Sequence, residues 1–487
     1  MNGSWLFYRL FLGLLLGGVI TWALYREPPE PSSAPAGKTR ARYAPFFWYG
    51  LLPMYFLLLL ILFPILLRQG NGNALLGTLF QVFLQLALYD GLMLLLLPLL
   101  RRFVRPQTCV FLWLLPNYLY LTQQSSLMQL PRPLVIIPVP GWAMPALCLI
   151  WLAGFVGVLG WKIISHLRFR RCILKDAQLV TEPTASRLWQ DLRDWAGVSR
   201  KKYPLVTSPH VTSPLSIGLF ASTIRVVLPD KAYTQDELAL ILRHELIHIG
   251  RQDNVAKFFL AFCSALCWFN PLAWAAMRRG AEELELSCDQ EVMDWTGDAG
   301  REPYARLLLR TAGEQAGFTT CLSASASSLR YRLSHVLHPT FRGIRGGLAG
   351  LAFFFLILSS GWVTLAYGAG TGQELLFPAP SAEPYEVADL YRFHDRSGYE
   401  CQLTDQDALL YYLENLELRA ITGAYDYPSG GEELWLDIPG EDYVFHRLTI
   451  QDDMIHTHLI NQPSFAQSYQ VVGVVDWEYL DTLLVPQ

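Results

Sequence analysis

Residues 234–250 read TQDELALILRHELIHIG, and this stretch decides what kind of domain surrounds it. Thr234-x-x-Glu237 has the form of a capping box, in which the two side chains satisfy backbone N–H groups left free at a helix start. The spacing predicts a helix over Thr234–Gly250. On that helix His244 and His248 are four residues apart, share one face, and can place two imidazoles on one Zn²⁺. Glu245 follows the first histidine and can reach the coordination position a catalytic zinc leaves open, as general base. A His-Glu-x-x-His pattern also arises by chance in amphipathic helices, so the same domain has to supply a third ligand.

Glu282–Asp289 offers one. Glu285 and Asp289 are again four apart, which assigns Glu285 as the third metal ligand and Asp289 as an acceptor orienting a ligand histidine. A merely solvated acidic face is the alternative; Leu284, Leu286, Cys288 and Val292 argue against it, because they make much of this helix apolar. His244 and Glu285 must meet at one metal, so an odd number of membrane crossings between them is forbidden. Val255–Met277 is nonetheless apolar enough to span. Asn270-Pro271 interrupts it, which predicts a hairpin that dips into the membrane or packs as core. Arg243 and Arg251 place the site near a membrane surface and not at mid-bilayer.

Outward from this site the chain is unusually apolar. Of 487 residues 52% are hydrophobic and 16% charged, against roughly 25% charged in a soluble globular chain. Disorder is excluded, since this much apolar surface outweighs the ordering entropy, and a sequence pI near 6.2 disfavours direct nucleic-acid binding. A span needs about 20 apolar residues. Trp5–Tyr25, Phe46–Leu67, Ala74–Leu100, Trp142–Ile164 and Gly346–Tyr367 qualify. The first has no small-residue cleavage site and reads as a retained anchor. The expected organisation is an N-terminal transmembrane region (1–141), a span (142–164), a central domain (165–345), a last span (346–367) and a C-terminal domain (368–487).

The charge divides with it. After Tyr367 there are 21 Asp+Glu against 4 Arg, a net −17, and the rest of the chain carries +13. No lysine occurs after Lys257. Arg168, Arg170, Arg171 and Lys175 follow one span, and Arg342 and Arg345 precede another. By the positive-inside rule the central domain is cytoplasmic and the acidic tail lies outside. Five spans would put Lys38–Arg42 and Arg101–Arg105 outside, against the rule; a crossing by Thr108–Leu121 would bring both clusters inside, but Pro116-Asn117 interrupts that short segment. Five and six spans stay open. Only Cys401 lies in the tail, which excludes an intramolecular disulfide there. The tail reads as α+β, with a helix over Asp405–Leu418 and strands at Glu433–Ile438, Tyr443–Ile450, Met454–Ile460 and Tyr469–Val475. His456 and His458 are alternate residues that could share a strand face and bind a metal; exposed strand residues are the plainer expectation.

Five motifs in order resemble the BlaR/MecR antirepressor metallopeptidases, membrane zinc proteases of bacterial signal transducers. They are Ser213-Pro214-Leu215-Ser216-Ile217-Gly218, Ile224-Arg225-Val226-Val227-Leu228-Pro229, the histidine motif with Asp253 soon after it, Trp268-Phe269-Asn270-Pro271-Leu272-Ala273-Trp274, and Glu285-Leu286-Ser287-Cys288-Asp289. The resemblance covers roughly Trp142–Tyr367. It implies a multi-span helical membrane protein with a cytoplasmic α+β gluzincin domain, zinc on His244, His248 and Glu285, Glu245 catalytic, and a last span leading to a small exported α+β sensor. It also implies that Ile224, Val226 and Leu228 hold substrate backbone by β-addition, with a structural edge strand as the alternative. Self-cleavage near Ser328-Leu329, in the small-residue run Ser323–Ser328, is a further expectation, with a plain linker beside it. The expected partners are the bilayer, a cytoplasmic protein substrate of repressor type or the chain itself, and a second copy as homodimer, all in a bacterial cell membrane. The penicillin-binding sensor of the best-known members is ruled out: its Ser-x-x-Lys motif needs a lysine, and the tail has none.

Overall fold

The computed structural model describes residues 4–25, 47–68, 72–101, 103–122, 133–196, 198, 203–312, 326–337, 347–359, 362–377, 387–394, 397–421, 431–439, 445–459 and 462–486. Its first elements are helices α1 (Ser4–Tyr25), α2 (Phe47–Arg68) and α3 (Gly72–Leu100). All three are apolar round the whole circumference, as helices are when no side of them meets water. Then come α4 (Pro106–Leu114), a 3-10 turn at Leu115–Tyr118, α5 (Leu119–Thr122), strand β1 (Val135–Val139) and α6 (Ala143–Leu174). Pro116 sits in the break between α4 and α5. Asn117 Nδ2 donates to the carbonyls of Trp113 (3.1 Å) and Leu114 (3.3 Å), so acceptors at the break stay paired inside the core. Leu76–Leu100 and Ala143–Leu174 are long and apolar enough to cross a membrane.

The central unit holds β2 (Gln178–Leu179), α7 (Pro183–Trp195), β3 (Leu205–Ser208), β4 (Leu215–Ile217), β5 (Arg225–Pro229), α8 (Gln235–Arg251), α9 (Asp253–Leu266), α10 (Pro271–Thr296), α11 (Arg301–Ala312) and α12 (Ala326–Leu337). Its four strands run in the order β2-β3-β5-β4, with β3 and β5 parallel and the other pairs antiparallel. Alternation along β5 sends Val226 and Leu228 into one core with Leu242, Leu246 and Ile249 of α8. Val227 goes to the other face, with Ile173 of α6. The capping box is present: Glu237 N–H donates to Thr234 Oγ1 (3.2 Å), and Thr234 N–H to Glu237 Oε2 (2.9 Å). Asn270 Oδ1 accepts from Leu272 N–H (3.0 Å) with Pro271 at the first helical position, so α9 and α10 form the expected hairpin. Its tip lies among the apolar helices: Phe269 meets Phe83 edge-on (ring centroids 5.2 Å), Tyr120 Oη lies 3.2 Å from Cys267 Sγ, and Trp151 Nε1–H donates to the Leu266 carbonyl (2.9 Å).

Helix α13 (Gly347–Leu358) is followed by β6 (Val363–Thr371). The expectation of one span over Gly346–Tyr367 is therefore corrected. The helix has 12 residues, and Val363–Tyr367 is a strand paired with β1 in parallel. Beyond it lie α14 (Gly372–Leu375), β7 (Asp389–His394), β8 (Ser397–Leu403), α15 (Gln406–Asn415), β9 (Glu417–Ile421), β10 (Glu432–Pro439), β11 (Phe445–Gln451), β12 (Met454–Leu459), β13 (Gln462–Val471), α16 (Trp477–Thr482) and β14 (Leu484–Pro486). These strands make one sheet of order β1-β6-β9-β13-β12-β11-β10-β7-β8-β14. The tail is α+β as expected, but Leu416 closes the helix and Glu417 already belongs to β9.

Neighbours at the helix ends fix their direction. Leu76 of α3 and Met144 of α6 cluster with Tyr367 of β6, next to the ten-stranded sheet. At the opposite ends, Arg101 after α3 pairs with Glu283 of α10, and Ile173 of α6 packs under the four-stranded sheet. Arg101 thus lies on the α10 side, and Val135 lies in the ten-stranded sheet. Helices α1 and α13 are antiparallel, with Gly13 opposite Phe354 and Gly17 opposite Gly350. A Cβ on Gly17 would stand 2.8 Å from the Gly350 carbonyl oxygen, a close backbone approach that only glycine permits.

Candidate metal centre

Helix α8 ends at Arg251 and α9 begins at Asp253; Gln252 between them is left-handed, with φ 60° and ψ 37°. That single residue turns the chain sharply enough to bring Asp253 back against His248. Asp253 Oδ2 accepts from His248 Nδ1 at 2.7 Å. This holds the proton on Nδ1 and leaves the Nε2 lone pair free. His244 is fixed similarly but through an intermediary. Tyr304 of α11 donates its only proton to Asp289 Oδ1 (2.6 Å), so its oxygen accepts from His244 Nδ1 (2.9 Å). Both Nε2 atoms then face inward.

The inward atoms form a triangle. The two Nε2 atoms are 3.1 Å apart, and Glu285 Oε2 stands 3.7 Å from that of His244 and 3.6 Å from that of His248. Donors about 2.0–2.1 Å from a tetrahedral ion lie roughly 3.4 Å from one another. The three atoms thus fit around one ion. Cys288 also lies close enough to join a metal group with the two histidines. Its thiol, however, sits 3.4 Å from His244 Nδ1 and 3.5 Å from the His244 carbonyl, on the nitrogen that Tyr304 already binds. Glu285 is the better third donor.

The other Glu285 oxygen is taken: Lys257 Nζ of α9 lies 2.9 Å from Oε1. Asp289 is fully buried, and Arg332 of α12 grips both its oxygens at 2.7 Å. Burial by itself would lower the His244 pKa, but Cys288 and Glu285 outweigh it and lift the value to about 9. Burial likewise opposes charge on Glu285, yet Lys257 and the two histidines hold its carboxyl well below the usual carboxylate range. The pocket favours a positive charge where the two imidazoles meet. Glu245 is buried on the same helix, one residue past His244.

Two expectations change here. Strand β5 is not an edge: β3 and β4 flank it, and Ile224, Val226 and Leu228 are buried. β5 is paired on both sides at Val226 and Val227, and β4 is the outermost strand on that side. Residues 323–325 of the small-residue run lie outside the described residues. Ser328 and Leu329 stand in the first turn of α12, with Ser328 buried, so this pair is not the accessible loop that was expected. Asp289 is linked to His244 through the Tyr304 hydroxyl and not directly. Tyr304, Lys257 and Arg332 carry no spacing signal, since each arrives from a separate helix; Asp253 was visible only as part of the family resemblance.

Residues 132–336 match the family described as BlaR1 peptidase M56. This segment is a peptidase domain of the BlaR/MecR type. The chain is also 26% identical over 183 residues to the regulatory protein BlaR1 of Bacillus licheniformis, which covers 38% of this chain and 30% of that protein. The BlaR-type segment runs from just before β1 to α12 and so contains every residue of the triangle and its outer partners.

Proposed function

We propose that this chain is an integral-membrane, zinc-dependent endopeptidase of bacterial signal transduction, cutting a cytoplasmic protein in response to a signal outside the cell. The observation that carries the reading is the triangle of His244, His248 and Glu285 with its outer carboxylates, set in a BlaR-type domain. Bound there, zinc would supply Lewis acidity, polarising a peptide carbonyl and acidifying a water. Glu245, buried one residue past His244, would serve there as general base and proton carrier. Asp253 and Tyr304 hold a proton on Nδ1 of each ring and so turn both Nε2 atoms toward the metal position. An extended substrate pairs along β4; Asn254 Nδ2 donates to the carbonyls of Ser216 in that strand (3.5 Å) and of Gly218 just after it (3.0 Å).

We further read the chain as six crossings: α1, α2, α3, one that begins with α4, α6, and a short last one at α13, whose helix has 12 residues. This order puts Lys38–Arg42, Arg101–Arg105 and Arg168–Lys175 on the same face as α8–α10, in keeping with the positive-inside rule. The acidic ten-stranded domain is then outside, as a sensor. The substrate is a repressor-type protein or the chain itself, and a second copy is a candidate partner.

The test uses purified full-length protein. Zinc should bind one to one, and Glu245→Gln should keep the metal and abolish cleavage. Comparing proteomes of cells carrying the two forms then names the substrate. Cleavage that persists in the Gln variant would falsify the assignment.

A further inference from the structure

Two neighbouring side chains of α12 reach two different parts of the molecule. Arg332 binds Asp289 with Nε and Nη2, both at 2.7 Å, and its Nη1 lies 3.4 Å from Glu285 Oε2. Adjacent residues on a helix point about 100° apart, and Tyr331 faces elsewhere. The guanidinium of Arg101 lies 4.7 Å over its ring. Arg101 directly follows α3 and pairs with Glu283, buried on α10 two residues before Glu285. Helix α12 is also fixed by His335 Nε2 against Gln290 Oε1 (3.0 Å) and by Arg301 Nη1, which donates to the Val336 carbonyl (3.2 Å).

We propose that α12 is the positioning helix of the metal shell: Arg332 sets the carboxylates of Asp289 and Glu285, and Tyr331 ties the same helix to the end of α3 through Arg101. The inference rests on the metallopeptidase reading and adds a route by which the apolar helices reach the site. Arg332 acts through others. It aligns Asp289, Asp289 holds the Tyr304 hydroxyl, and that hydroxyl holds His244. A planar fork binding both oxygens of a buried carboxylate fixes its plane as well as its charge. Asp289 is fully buried, so displacing α12 leaves its carboxylate without the Arg332 cation. The shell is complete only while α12 stays seated, and Arg101 is one of the groups that seat it.

The test measures zinc affinity by chelator competition, and the absorption of the Co²⁺-substituted protein, on full-length wild type, Arg332→Met, Arg332→Lys and Tyr331→Leu. Arg332→Met should weaken zinc about 10- to 100-fold, as loss of a ligand-orienting partner does, and should shift the Co²⁺ bands. Arg332→Lys keeps the charge without the fork and should fall between. Tyr331→Leu touches neither carboxylate, yet should weaken zinc by about 2- to 30-fold, the range of coupling through packed elements. Wild-type affinity and spectrum in Arg332→Met overturn the positioning role. If that variant does not fold, the same result in Arg332→Lys overturns it. A loss in the Arg332 variants with no change in Tyr331→Leu overturns the link to α3. A wild-type chain that binds no zinc defeats the underlying reading instead.

Discussion

Tyr304 lies 60 residues beyond His244 in sequence, yet its hydroxyl decides which imidazole nitrogen carries the proton. Removing that oxygen takes the acceptor from His244 Nδ1 and the donor from Asp289 at once, while the ring still fills its buried site. Tyr304→Phe should therefore lower zinc affinity about 10- to 100-fold, read by chelator competition, with an unchanged circular dichroism spectrum. Affinity equal to wild type would reduce Tyr304 to packing. The contrast with the histidines shows what a sequence makes legible. His244, His248, Glu285 and Asp289 fall on helical spacings of four, a rule that holds within one element. Tyr304, Lys257 and Arg332 meet them from α11, α9 and α12, and no spacing connects separate helices.

The hairpin of α9 and α10 was legible as an element because Asn270-Pro271 marks its turn, but not where its tip would rest. Gly154 of α6 faces that tip, and a Cβ there would run into the Trp268 indole. The indole is anchored by donation to the Trp151 carbonyl (3.2 Å), so it does not swing aside freely. Gly154→Ala should cost about 1–3 kcal/mol, measured by thermal unfolding in detergent, and a second change, Trp268→Leu, should restore part of it; a silent Gly154→Ala would disprove the close fit. Where the end of α3 meets α10, Arg101→Leu strands the Glu283 carboxylate, which is 1% exposed, and should destabilise by about 3–5 kcal/mol. Replacing both, with Glu283→Leu, should recover most of that loss. Two elements were misread for a shared reason. Gly346–Tyr367 is apolar throughout, and composition alone does not separate a short helix plus a buried strand from one span. Ile224–Leu228 reads as a strand correctly, but whether a strand is central or at an edge depends on partners that its own residues do not specify.

For the whole molecule, the direction of each apolar helix follows from which sheet its ends touch, and the proposed six crossings agree with those directions. The sequence posed that choice through its basic clusters but left it open, because Thr108–Leu121 is short and broken at Pro116. In the structure α3 ends beside Glu283, and β1 begins at Val135 in the ten-stranded sheet. Six crossings put residues 38–42 and His210 on one side of the membrane and the exposed Val474 on the other. Single cysteines at positions 40, 210 and 474, introduced into a chain with its native cysteines replaced, distinguish the two arrangements. An impermeant maleimide added to intact cells should label position 474 alone, and inverted vesicles should expose positions 40 and 210 together. Labelling of position 40 from outside would restore five crossings. It would also separate the N-terminal basic cluster from the side that holds the metal helix, and α1 could then no longer run antiparallel to α13. The close approach of Gly17 to Gly350 and the sidedness of residue 40 are therefore one claim, open to test by labelling and by Gly17→Leu, which should loosen α1 from α13 only if they pack as described.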